Sequence, residues 1–255
     1  MLPAERHSRI GEALRASRVV STEELARELG VSVETIRRDL LLLERRGVLA
    51  RVHGGATIAL GPPTGEEAPF AERAGSGTEA KRLIGRAAAA LVRTGQTIVI
   101  DVGTTAVNVA RALPLDFSGT VATCSLLVAA ELAERPGLDV LVCGGRLRGG
   151  DLALSNAIAQ SFFADLHPDL AFLGSGGVDA ATGLTDYYLD EVAVRRTILR
   201  NAARSYVLAD SGKFGRIARH RVAGLDEFTG LITETDPPSS IRDAVTRKGG
   251  EVVLP

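Results

Sequence analysis

Ser32-Val-Glu-Thr-Ile-Arg-Arg-Asp39 is the stretch whose reading decides the N-terminal fold. Ser32 is a helix-capping residue, and Ile36, Leu40 and Leu43 recur at the spacing of one helical stripe. On that period Glu34 and Arg38 point away from the stripe, and Arg37 lies on its flank. Just upstream, Ser21 followed by Glu24 reads as a capping box opening a short helix, which Gly30 closes. A capped helix, a tight turn and a second helix with adjacent arginines outside is how a protein offers side chains to the DNA major groove. Arginine pairs also occur on plain solvated helix faces. The capped helices around this pair are what favour a DNA contact by Ser32, Glu34, Thr35, Arg37 and Arg38.

Residues 4–16 predict a first helix, with Ile10 and Leu14 four apart on one face. Downstream, Val48–His53 alternates as a strand and Gly54-Gly55 supplies a hairpin turn. Three helices and a hairpin make a winged helix-turn-helix over residues 1–58. Arg51 and His53 share one face of the wing strand, where phosphate or minor-groove contact is natural. Residues 1–56 carry ten arginines against eight carboxylates, and the whole chain has a net charge of -1. Affinity for double-stranded DNA then has to come from aimed contacts and from pairing of chains, not from bulk charge.

Residues 59–77, rich in glycine and proline, read as a linker. From residue 78 to 255 the pattern becomes apolar strands alternating with helices. Strands are expected near 97–101, 119–123, 138–143, 169–174, 205–210, 230–233 and 251–254. Helices are expected near 78–93, 105–112, 126–135, 156–164, 187–203 and 239–248. This predicts an α/β domain with a doubly wound, mostly parallel sheet.

In such sheets ligands bind past the carboxyl ends of the strands. Here those ends are polar and small: Asp101-Val-Gly103-Thr104-Thr105, Thr123-Cys124-Ser125, Cys143-Gly144-Gly145-Arg146, Gly174-Ser-Gly-Gly177 and Asp210-Ser-Gly-Lys213. Small-residue loops at helix starts suit an anion such as phosphate. Lys213 stands out because the chain has only three lysines, at 81, 213 and 248, among 30 basic residues. Plainer readings exist for each: a helix cap at Thr123–Ser125, a simple turn at Gly144-Gly145 with Arg146 and Arg148 solvated, and a surface lysine at 213. Asp190-Glu191 reads as the exposed first turn of a helix.

The composition narrows the functional classes. With 45% apolar residues over 255, a sizeable core can be buried. No apolar run approaches the length of a membrane span. Cys124 and Cys143 are expected as reduced, buried thiols in a cytoplasmic protein, since no secretory leader is read at the start. The four histidines are scattered, so no metal is expected. No cofactor is expected, and neither a Gly-x-Ser-x-Gly elbow nor a Walker loop occurs.

Val31-Ser-Val-Glu-Thr-Ile-Arg-Arg-Asp-Leu40, Leu43-Glu-Arg-Arg-Gly47 and Arg51-Val-His-Gly-Gly-Ala56 together resemble the DNA-binding signature of the DeoR family of bacterial transcriptional regulators. The resemblance continues through Phe70, Arg73, Lys81, Asp101–Thr105, Thr123–Ser125, Gly144-Gly145, Gly183-Leu-Thr185 and Asp210–Gly215. It implies a sensor domain similar in fold to ribose-5-phosphate isomerase, a phosphorylated sugar as effector, and repression of a carbohydrate operon. By position, Gly103, Thr104 and Thr105 would cradle the phosphate. Asp101, Thr123, Cys124, Ser125, Gly144, Gly145, Asp210 and Lys213 would line the rest. Two departures stand out: Cys124 where the family usually has asparagine, and Gly212 where it commonly has serine or threonine. A homodimer or homotetramer is expected, because paired recognition helices fit successive turns of DNA. The rival reading is an isomerase-like enzyme carrying a DNA-binding appendage. It lacks a second carboxylate placed for acid–base work in these loops, so no catalytic residue is assigned.

Overall fold

The computed structural model describes residues 3–17, 19–45, 49–52, 54–58 and 66–255. The chain forms two compact units, residues 1–66 and 67–255. Among the described residues no helix is long and apolar enough to cross a membrane.

The first unit runs α1 (Pro3–Ser17), β1 (Val19–Ser21), α2 (Thr22–Leu29), α3 (Val33–Arg45), β2 (Leu49–Val52) and β3 (Gly55–Ile58). Ser21 accepts hydrogen bonds from the Glu23 and Glu24 N–H groups, and Gly30 ends α2 at φ 65°, as the capping pattern predicts. Strand β3 lies between β1 and β2, antiparallel to both. β1 has no sequence signature, because three residues are too few to display a period. Val48 and His53, part of the expected wing strand, lie outside the described residues, as do positions 59–65 of the expected linker. The two turn glycines meet different demands. Gly54 adopts φ 82°, whereas a Cβ on Gly55 would lie 2.0 Å from the Val20 carbonyl oxygen. Ile10, Leu14, Leu25, Leu29, Ile36, Leu40, Leu43 and Leu49 close into one core. Each contributes roughly 1.5–3 kcal/mol by leaving water.

The second unit opens with α4 (Phe70–Gly75), inside the stretch read as linker, and α5 (Thr78–Ala89). Then follow β4 (Thr97–Ile100), α6 (Thr104–Ala112), β5 (Gly119–Thr123), α7 (Leu126–Leu132) and β6 (Leu138–Val142). A hairpin, β7 (Arg146–Arg148) and β8 (Ala153–Ser155), leads to α8 (Ala157–Ala164) and β9 (Leu170–Leu173). After it come β10 (Gly177–Asp179), β11 (Gly183–Asp186), α9 (Leu189–Asn201) and β12 (Arg204–Leu208). A 3-10 turn (Ser211–Lys213), β13 (His220–Ala223), β14 (Gly230–Ile232), α10 (Ser239–Thr246) and β15 (Glu251–Val253) complete it.

Seven strands form one sheet in the order β15-β14-β12-β9-β4-β5-β6, and every neighbouring pair is parallel. Alternate residues of each strand serve opposite cores. Ile98 and Ile100 pack with Ile84, Val107 and Val128 of α5–α7. Val99, between them, packs with Phe163, Val194 and Ile198 of α8 and α9 on the other face. Val207 and Leu231 meet Ile241 and Val245 of α10. The doubly wound α/β reading therefore holds, with strands within two residues of the expected runs. Absent from that reading are the β7–β8 hairpin and the small antiparallel sheet β10-β11-β13. Strand order reverses between β4 and β9, and their carboxyl ends mark the switch point where such sheets take ligands.

Candidate functional site

In the first unit, Ser32 caps α3. Its Oγ accepts the Thr35 N–H at 3.1 Å and lies 2.8 Å from Thr35 Oγ1. Glu34, Arg37 and Arg38 are exposed, and Glu34 is 3.7 Å from a nitrogen of each arginine. Ion pairs this exposed are worth little, so both guanidiniums are available to a polyanion. Arg37 and Arg51 meet across a cleft also lined by Thr22, Val33, Leu40 and Gly55. The Arg51 N–H donates to Glu44 Oε1 at 3.0 Å, which fixes the wing strand beside α3. His53 lies outside the described residues.

Asp39, the last residue of the opening stretch, turns the other way. It is buried and accepts from Arg6 Nε at 2.5 Å and Nη2 at 3.1 Å, with His7 Nε2 2.9 Å away. Burial pushes its carboxyl up, but the hydrogen bonds from Arg6 and His7 outweigh that and hold it below its ordinary value. This pair fastens α3 to α1. The signal was present in the sequence: Asp39 falls between Ile36 and Leu40 on the apolar side of the helix, and a carboxylate there needs a partner.

In the second unit, Asp101 ends β4 at the switch point, fully buried. Its Oδ2 accepts the Gly174 N–H at 2.9 Å and Arg195 Nε at 2.5 Å, while Cys124 Sγ donates to Oδ1 at 3.4 Å. Asp101 thus ties together the ends of β4, β5 and β9 and helix α9. Gly103 opens α6 at φ 110°, with open space above its Cα. Thr104 is buried and Thr105 half-buried. The first N–H groups of a helix have no carbonyl of their own helix to bond, so this end is suited to an anion. Thr123 and Ser125 are buried in local bonds. Thr123 Oγ1 accepts the Ser125 N–H at 3.0 Å, and Ser125 Oγ caps α7 through the Val128 N–H at 3.2 Å. Gly144 and Gly145 have φ of 68° and 110°, and a Cβ on Gly145 would lie 2.8 Å from the Ser155 carbonyl oxygen. Asp210 Oδ1 accepts the Gly212 N–H at 3.0 Å, shaping the turn that carries Lys213. A Cβ at position 212 would sit 2.9 Å from that same oxygen.

Lys213 is half-buried, and burial lowers its pKa against the opposing pull of Asp210 and Glu67. Lys81, buried on α5, donates to the carbonyls of Arg73 and Ser76, the latter at 2.6 Å. Burial lowers its pKa too, and Asp210 and Lys213 lie within electrostatic reach. Two of the three lysines in the chain therefore flank one region. Burial pushes both thiols up, Cys143 to about 11 and Cys124, beside Asp101, well above its ordinary value. Both are buried and free.

A chain of buried charges runs through this region. Arg73 pairs with Glu67 at 3.2 Å and with Asp151; Asp151 meets Arg148 at 3.3 Å; Arg148 meets Glu191 at 2.6 Å. Arg195 closes it, 2.5 Å from Asp101, 2.6 Å from Asp186 and 3.9 Å from Glu191. The Asp186 contact is ionic only, since Arg195 Nη1 is out of line for a hydrogen bond. One expectation needs correction here, and one of the plainer readings drops out. Glu191 is buried, not exposed beside Asp190; Arg148 from the β7–β8 hairpin and Arg195 one turn along α9 converge on it. Arg148 is not solvated: it stacks on Tyr188 at 3.8 Å from the ring centroid and is held above its ordinary pKa by Glu191 and Asp151 despite burial.

Residues 6–60 match the DeoR-like helix-turn-helix domain, and residues 76–235 match the DeoR C terminal sensor domain. The HTH-type transcriptional regulator GlpR of Haloferax volcanii is 36% identical over 99% of this chain and 98% of its own length. The glycerol-3-phosphate regulon repressor of Escherichia coli K12 is 32% identical over 96% of each chain. Among solved structures, a ribose 5-phosphate isomerase A from Methanocaldococcus jannaschii aligns over 55% of each chain at 19% identity, with a TM-score of 0.40. The relatives that match over nearly the full length are named as regulators and repressors, so the reading as an enzyme with an appendage drops out. The chain belongs to the DeoR family and is a DNA-binding transcriptional regulator.

Proposed function

We propose that the chain represses a carbohydrate or polyol operon and that a phosphorylated metabolite controls it. The observation that carries this reading is the switch point between β4 and β9. There the glycine-opened end of α6 lies beyond a parallel sheet, and Lys81, Lys213 and Arg73 supply positive charge in the same unit. Gly103, Thr104 and Thr105 would take the phosphate, with Lys213 as its counter-charge. Asp101, Thr123, Cys124, Ser125, Gly144, Gly145 and Asp210 would shape the pocket, several of them through the local bonds described above. Ser32, Glu34, Thr35, Arg37, Arg38 and Arg51 would meet operator DNA, with residues 1–58 as the output domain and 78–255 as the sensor. A homodimer would present two such helices to one operator.

The effector changes DNA affinity only if it binds two states unequally, and DNA must then alter effector affinity by the same factor. The test is a thermal-shift screen with glycerol 3-phosphate and pentose and hexose phosphates, followed by DNA-binding titrations with each compound that raises the midpoint. A ligand that binds the folded state raises it by mass action. If no phosphate ester moves either quantity, the effector reading fails. Light scattering of the free chain and of its DNA complex tests the homodimer.

A further inference from the structure

Glu67 lies in a stretch of polar, proline-containing composition where a glutamate is ordinarily solvated. It is instead half-buried, with its side chain 12% exposed and Oε1 3.2 Å from Arg73 Nη1. Arg73 of α4 touches it, and Asp151 of the β7–β8 turn, Asp186 of β11 and Lys213 of the 3-10 turn lie within electrostatic reach. Its two cations are ones a phosphate would need. We propose that Glu67 is an internal occupant of the anion subsite, held between Arg73 and Lys213, and that an incoming phosphate displaces it and loosens residues 67–75. This rests on the assignment of Lys213 to the phosphate.

The surrounding bonds say what displacement would do. Arg73 also donates from Nε to the Ala68 carbonyl at 2.8 Å and pairs with Asp151, and Lys81 holds the carbonyls of Arg73 and Ser76. Glu67 is thus one of the anchors of the α4 segment, and a phosphate would take it over without touching the rest. Two carboxylates, Asp151 and Asp186, stand near it as like charges, so the anchor is a weak one. Burial drives the Glu67 carboxyl up to about 7, against the pull of Arg73 and Lys213. The sign follows: a carboxyl with a raised pKa in the docked segment favours docking at low pH. That preference is lost as pH rises from the ordinary carboxylate range to about 7. Moved into water, the group returns to an ordinary value of roughly 4.3 and gives up its proton. Phosphate binding and proton release are then linked.

Calorimetric titration of the full chain with glycerol 3-phosphate and with inorganic phosphate, at pH 7.0 in buffers of different ionisation enthalpy, counts those protons. Wild type is expected to release about half a proton more per ligand than Glu67→Gln, which carries none at that position. Glu67→Ala is expected to bind roughly fivefold or more tightly, because the occupant is gone. Hydrogen exchange across residues 67–75 should quicken when wild type is saturated. Equal proton counts, proton uptake by wild type, unchanged affinity of Glu67→Ala, or slowed exchange each overturn the proposal. If Lys213→Ala abolishes binding while both Glu67 variants behave as wild type, the effector assignment stands and this inference alone falls. If wild type binds neither probe, both fall together.

Discussion

Arg38 and Arg195 are the same residue type at opposite extremes. The Arg38 side chain is 80% exposed and 3.7 Å from Glu34. The Arg195 side chain is 3% exposed and reaches Asp101, Asp186 and Glu191. On α3, charge is left loosely paired in water, where giving it to a polyanion would cost little desolvation. In the sensor, charge is sealed among opposite charges, where removing one partner strands the others. One chain thus holds arginine loosely in water at one site and uses it as a fastener at the other.

This contrast breaks most severely at its buried end. Arg195→Ala leaves Asp101 and Asp186 near the switch point without their counter-charge, and Glu191 with Arg148 alone, and should destabilise the sensor unit by on the order of 4 kcal/mol, read by urea denaturation. A loss below about 1 kcal/mol would show that water replaces the guanidinium and that the fastener role is misassigned. Asp39→Ala, which removes the carboxylate that Arg6 and His7 share, should lower the stability of the first unit by about 3 kcal/mol. The same carboxylate gives a pH test. Its folded pKa is depressed, so its stabilisation is present above the unfolded value and fades as pH falls through the folded one. Acid unfolding of the first unit should therefore steepen in wild type relative to Asp39→Asn.

At the exposed end, Arg38→Ala should weaken specific operator binding roughly 10- to 100-fold, measured by anisotropy at physiological salt, while shifting folding stability by under about 0.5 kcal/mol. Unchanged operator affinity would sink the recognition-helix assignment. Lys213→Ala sharpens the contrast from the ligand side. It should remove most of the thermal shift that a bound phosphate ester produces, and a full wild-type shift would take Lys213 out of the subsite. Swapping Glu34 for Gln, which deletes only exposed pairs, should alter stability least of all, by about 0.5 kcal/mol or less.

What the sequence disclosed follows the same division. Helix α3 was legible because its cap and its apolar period lie within a dozen residues, and the sheet was legible because its strands are apolar runs. The exposed residues of the proposed DNA face could be listed from the helical period alone. The sensor charges could not. Helix α9 buries Glu191 and Arg195 beside Val192 and Val194, so it lacks a clean polar face, and its partners lie on β4, β7 and β11. Pairings 43 and 94 residues apart leave no local trace. Glu67 was hidden for the same reason, since its linker-like neighbours say nothing of Lys213.

The seat of α3 has an evolutionary corollary. Asp39 fastens the helix from behind, through Arg6 and His7, and Ile36 and Leu40 fill the core beside it. Among the described residues, the ion pairs of positions 34, 37 and 38 are weak ones with one another. With these three positions meeting operator DNA as proposed, operator preference would be rewritable there, residue by residue, while the helix keeps its place.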